Sequence, residues 1–227
     1  MIGLKIQFEK ANIFWLIFWV LFSVYAFVFA PPSGPETNEL IQKMLNGDIA
    51  GVNWVIFALF NLMGVWPLLH FAVLASDGKN QPIPWWIFAL GSFFLGAFVL
   101  LPYFVFRKPK PKFEGEYKGI AKMADGKGLG IMLFVISVWL VGSAILYGDW
   151  ANYVADFLTK GFIHVMSLDF LALWVMFIFI SRGDMARRNI DIGDRKKKWL
   201  ILVSIPVFGA AMYLILRPKL VKLNPGE

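Results

Sequence analysis

The feature that most constrains this chain is a series of apolar blocks, each about as long as a bilayer is thick. Six can be marked, at 11–30, 53–75, 84–106, 129–147, 161–181 and 199–216. A helix rises about 1.5 Å per residue, so ~20 residues cross ~30 Å of hydrocarbon. With 59% hydrophobic residues and a mean hydropathy of +0.65, the 227-residue chain exceeds what a soluble domain carries. It reads as an all-α membrane protein with six transmembrane helices. The first block is expected to be retained, because it runs into "FAPPSGP" (29–35) rather than a small-residue cleavage site.

Charge sets the expected topology. The stretches 107–127 and 182–198 are rich in Lys and Arg, and two blocks separate them. With six crossings both lie on one side together with Lys43, against Lys5, Lys10, Lys79, Lys160, Arg217, Lys219 and Lys222 on the other. The positive-inside rule then makes the basic loops cytoplasmic or stromal and both termini lumenal. The net charge of +7 is explained by these loops and by anionic headgroups, so nucleic acid is not an expected partner. Beyond topology, Arg107, Lys108, Lys110, Lys112, Arg187, Arg188, Lys196, Lys197 and Lys198 are candidates for docking a partner or lipid.

The two halves resemble each other. After the first block comes "ETNELIQKMLNGD" (36–48), and after the fourth comes "WANYVADFLTK" (150–160), both amphipathic at helical spacing. The second and fifth blocks each carry a strongly polar residue near the ninth position, Asn61 and Asp169. The third and sixth end alike, in "LLPYFVFRKPK" (100–110) and "AMYLILRPK" (211–219). Three crossings per half would make the units inverted repeats, each with a short interfacial helix. The expected organisation is a first unit over 1–110, a basic loop over 111–128, a second unit over 129–219 and a tail over 220–227.

Polar residues inside the blocks are the candidate site. Asp169 lies about 12 Å along its helix, where an ionised carboxylate costs at least ~2.5–3.5 kcal/mol. It must be paired, protonated or beside water. At 100° per residue Asp169 points ~140° away from His164, whereas Ser167 and His164 stack, so partners must come from other helices. Asn61 and Asp169 are expected at similar depth, within hydrogen-bonding reach. His70 and His164 are expected near one surface. They are expected to be structural hydrogen-bonding residues, axial ligands to chlorophyll magnesium, or groups with a protonation role. Pro67 is expected to kink the second helix. The chain has no cysteine, and neither nucleotide nor hydrolase motifs occur, so no metal site and no enzyme activity are expected.

The stretches "FAPPSGPET" (29–37), "LFNLMGVWPLLH" (59–70), "FIHVMSLDF" (162–170), "DMARRN" (184–189) and "LILRP" (214–218) carry a resemblance. They resemble an uncharacterised membrane-protein family of cyanobacteria and chloroplasts. The resemblance implies a setting in the thylakoid or a cyanobacterial inner membrane and carries no activity. The leading expectation is therefore an accessory or assembly protein for a photosystem or other pigment–protein complex, with chlorophyll or carotenoid as candidate cofactors. The alternative is a small inverted-repeat transporter with a polar site around Asn61 and Asp169.

Overall fold

The computed structural model describes residues 10–77, 81–108 and 119–220, apart from the side chains of Lys10 and Ala121. All regular structure among them is helical. In chain order the helices are α1 (Lys10–Val24, prolonged by a wide turn over Tyr25–Phe29), α2 (Glu36–Leu45), α3 (Trp54–Asp77), α4 (Trp85–Phe106), α5 (Gly119–Ala124), α6 (Lys127–Tyr147), α7 (Trp150–Thr159), α8 (Gly161–Arg187), α9 (Gly193–Val203) and α10 (Phe208–Leu216). Five of the helical segments are long and apolar enough to cross a membrane: Ala11–Phe29, α3, α4, α6 and α8. Backbone polar groups have no water in hydrocarbon, so such runs satisfy them as helices.

One of the five does not use its length to cross. Gly96 breaks α4 at φ 50°, ψ −128°, a region open to glycine. Straight, the 22 residues of α4 would span about 33 Å. Yet Lys108 N–H donates to Gln81 Oε1 (2.7 Å), and Gln81 Nε2 donates to the Lys108 carbonyl (2.9 Å), so the ends meet. The Phe88 and Tyr103 rings stand 5.6 Å apart across fifteen positions. A Cβ on Gly91 would fall 2.6 Å from Val99 Cγ1. α4 is therefore a hairpin of two arms, 85–95 and 97–106, that dips in and returns.

The sixth block behaves likewise. α9 and α10 are separated at 204–207, where Val207 takes φ 59° and Pro206 denies the helix a donor. Trp199 and Tyr213 meet at 5.5 Å, and Gly209 has no room for a Cβ against the Leu202 carbonyl. α9–α10 is thus a second hairpin.

These turns correct the expected topology. Among the described residues, α1, α3, α6 and α8 run on without folding back, whereas the third and sixth apolar blocks fold back as hairpins, so the expected six crossings are not seen. α3 and α8 run the same way, since their ends join: Ser76 Oγ donates to Asp184 Oδ1 (3.0 Å) and Arg187 bonds Asp77 (2.9 Å). α3 and α8 are therefore parallel to each other, not opposed as inverted units would require. The start of α1 lies on the same side as these ends, because Asn12 donates to the carbonyl of Val105 (2.7 Å). Arg217 lies there too, on the Ala124 carbonyl (2.8 Å). The described chain ends thus sit beside the basic loops, not opposite them. Among the described residues, Lys43 and Lys160 alone of the Lys and Arg belong to the far side. There Asn53 Nδ2 donates to the Asp149 carbonyl (2.7 Å), and Gly161 N–H donates to that of Pro32 (3.1 Å).

The interfacial helices are present as α2 and α7. α7 is capped by the Asp149 carboxylate, which accepts from Asn152 N–H (2.9 Å). Helix α3 continues without a break through Pro67. The core lies between α3 and α8, around Trp66, Leu69, Val73, Leu173 and Phe177. Large apolar side chains such as Phe27, Phe94 and Leu146 face outward, as lipid contact requires.

Candidate functional site

Two polar centres involve α8, one a third of the way along it at Asp169 and one at its C-terminal end. The first forms where the α4 hairpin turns. Breaking a helix leaves the first N–H groups of its second arm without internal partners. Asp169, 5% exposed, supplies one: Ala97 N–H donates to Asp169 Oδ1 (2.7 Å). The carboxylate occupies the space where a side chain at 96 would go, so Gly96 is required by its φ and by this approach. Asp169 also lines a cavity of about 360 Å³ with Asn61, Gly64, Ser92 and Gly96. Most of the other walls are Phe, Leu and Met side chains. Asn61 and Asp169 thus share one cavity, as their matched positions suggested, but Asn61 Nδ2 donates to the Phe57 carbonyl (2.8 Å) within its own helix.

Other polar residues of "FIHVMSLDF" face elsewhere. Ser167 Oγ bonds the Tyr153 hydroxyl (2.9 Å) and the Ile163 carbonyl (2.7 Å), toward α7. His164 has both ring nitrogens engaged: Nε2 with the Tyr25 hydroxyl and Nδ1 with the Phe157 carbonyl, each at 2.9 Å. Its ring also stacks on Phe157. His70 is fully buried against Trp66 and Phe177. Its Nδ1 bonds the Trp66 carbonyl (2.9 Å), and Nε2 has no hydrogen-bond partner among the described residues. The two histidines are not at one depth. Because α3 and α8 are parallel, His164 lies near the far side and His70 toward the basic side.

The second centre is a buried ionic cluster at the ends of α3, α8 and both hairpins. Asp77 accepts from Tyr103 (2.5 Å), Arg107 (2.8 and 3.1 Å) and Arg187 (2.9 Å). Asp184 accepts from Ser76 (3.0 Å), Tyr213 (2.7 Å), Arg188 (2.7 and 3.2 Å) and Arg217 (3.0 Å). Asp125 pairs with Arg188 (2.6 Å), which also bonds the Pro218 carbonyl. The repeat is plain here. In each half an acid at the end of a crossing holds a Tyr and an Arg four residues apart on the returning arm: Tyr103 and Arg107, Tyr213 and Arg217. Burial at Arg188 favours the neutral form, but the Asp184 carboxylate outweighs it and holds the guanidinium above its usual range. At Arg217 burial wins, and its pKa falls below the ordinary value.

This cluster corrects part of the docking set. Arg187 and Arg188 are 2% and 3% exposed and serve the interior, and Arg107 is largely committed to Asp77. Of the rest, Lys108, Lys197 and Lys198 are exposed and Lys196 half-buried; Lys110 and Lys112 lie outside the described residues. Asp77, Asp184, Asp125, Tyr103, Tyr213 and Arg217 were not anticipated. Aligning the halves would have found most of them, since an acid followed by Tyr-x-x-x-Arg occurs in both.

No family model, curated protein or solved structure matches this chain.

Proposed function

We propose that the protein is a small transporter whose working site is the Asp169 cavity. The observation that carries this is the Asp169 carboxylate at the turn of a broken helix, facing a cavity at membrane depth. Non-helical backbone is tolerated there only when protein or a water-filled cavity surrounds it. Broken helices at the repeat interface are a recurring way to build a mid-membrane binding site. The Asp77–Arg187 and Ser76–Asp184 links join the ends of α3 and α8 into a frame that holds α8, and with it Asp169, against the α4 turn. By the positive-inside rule the ionic cluster faces the cytoplasm or stroma, in the thylakoid-type membrane that the family resemblance implies.

The test needs no known substrate. The chain has no cysteine, so one introduced thiol is the sole target. Gly64 lines the cavity, and a Cβ there meets nothing within 4 Å. Gly64→Cys in oriented vesicles should be labelled by a membrane-impermeant thiol reagent from either face. Labelling from one face only, or from neither, overturns transport.

A second reading has its own observation. A cleft of about 520 Å³ between α1, the α4 turn and α8 is lined by Trp19, Phe27, Phe98 and Phe162. It would suit a carotenoid or lipid tail in an accessory protein of a pigment complex, without the histidines as ligands. Pigment extraction from the native-purified protein tests it: stoichiometric carotenoid supports it, and a colourless protein removes it.

A further inference from the structure

We infer that the Asp169 cavity takes a lipophilic organic cation, one that reaches it sideways from the bilayer. The inference rests on reading that cavity as the working site, and it adds the class of ligand. Three observations carry it.

First, Asp169 is the sole charged residue among those lining the cavity, so the site carries a single sign. One of its oxygens is held by Ala97 N–H. The carboxylate is thereby fixed in place, and a cation arriving beside it would supply the counter-charge that favours its ionised form. A carboxylate in hydrocarbon is expensive without a counter-charge, and no Lys, Arg or His lines this cavity.

Second, the walls do not suit a small hydrated ion. Beside Asp169, Asn61 and Ser92 they are mainly apolar, and they include the rings of Phe60, Phe98 and Phe162. Asn61 and Ser92 spend donors on the carbonyls of Phe57 and Ala89. A metal ion needs a cage of oxygens, and no group of three acidic or histidine ligands occurs among the described residues. A cation whose charge is spread over an apolar body fits such walls: aromatic faces attract it, and it loses little hydration on entry.

Third, the cavity has a lateral neighbour. The 520 Å³ cleft shares Leu95, Phe98, Phe162 and Val165 with it. Phe27 of this cleft is 83% exposed, and Phe94 of the Asp169 cavity is 88% exposed. A molecule dissolved in the bilayer therefore meets apolar surface first and the carboxylate last.

The probe is tetraphenylphosphonium, with neutral triphenylphosphine oxide as control, each measured by equilibrium dialysis against the full chain in detergent. Saturable binding of the cation is expected, at least about tenfold tighter than the neutral control. Asp169→Asn keeps an acceptor for Ala97 N–H and removes the charge; it should weaken the cation at least about tenfold and leave the control unchanged. Equal affinity for both probes, an unaffected Asp169→Asn variant, or no saturable binding overturns the inference. If Asp169→Asn does not fold, Phe162→Leu is decisive in its place. It preserves apolar volume and removes a ring, with about threefold weaker cation binding expected; unchanged affinity overturns the inference. The Gly64→Cys labelling reads access from two faces regardless of ligand. Transport can therefore survive the loss of this inference, and cation binding can survive the loss of transport.

Discussion

Asp169 and Asp184 lie fifteen positions apart on one helix, both at least 95% buried, yet they are different objects. Asp184 is saturated: a serine, a tyrosine and two arginines bond it. Asp169 has one backbone N–H and a cavity. A saturated carboxylate fixes architecture, because every lone pair is spent on holding elements together. A carboxylate with one anchor and open space beside it is left with acceptor capacity for something that comes and goes. Burial is the same at both; the number of partners separates framework from site.

Four variants break or sharpen that contrast, in falling order of effect. Asp184→Ala strands Arg188 and Arg217 in a buried pocket and should cost ~3–5 kcal/mol. Thermal unfolding in detergent would show it as little or no recoverable folded protein. A loss under ~1 kcal/mol would mean that the cluster is not framework. Gly96→Ala places a Cβ on the Asp169 carboxylate at φ 50° and should cost at least ~1–3 kcal/mol in the same assay. A neutral result would show that the α4 turn is not held as described. Asp169→Asn should change stability by less than ~1 kcal/mol, since the bond from Ala97 survives. It should still weaken tetraphenylphosphonium binding at least about tenfold, and a large stability loss would move Asp169 into the framework class. Lys197→Ala with Lys198→Ala touches exposed side chains and should stay within ~0.5 kcal/mol, which sets the floor for the series.

Much of the fold was legible because hydrophobicity is a local property. The six blocks match α1, α3, α4, α6, α8 and the α9–α10 pair, and the interfacial helices match α2 and α7. The direction of the third and sixth blocks was not legible from length. A 22-residue apolar run spans a bilayer or folds in half depending on one dihedral, and Gly96 inside "FFLGAF" looks like any membrane glycine. Pro206 beside Ser204 was the better clue. That single misreading inverted one half, reversed the second crossing and separated the chain ends from the basic loops. The candidate site fared differently. Asn61 and Asp169 were found because strongly polar residues in apolar runs are conspicuous, and parallel α3 and α8 keep their depths matched. The ionic cluster escaped because its acids and arginines sit at helix ends, where charge is ordinary in sequence. Burial alone distinguishes Arg187 from Lys197, and burial is a tertiary fact.

The two far-side segments have a consequence for how the chain enters its membrane. Were the basic side the side of synthesis, as the positive-inside rule would have it, 30–53 and 148–160 would be the described segments carried across, and each contains a single lysine. Each lysine brings its own neutraliser one helical turn earlier: Lys43 with Glu39 (3.2 Å) and Lys160 with Asp156 (2.7 Å). The translocated cargo is therefore two short amphipathic helices with their positive charge already cancelled. On that orientation each half would insert as a loop whose arginine-bearing arm stays on the side on which it was made.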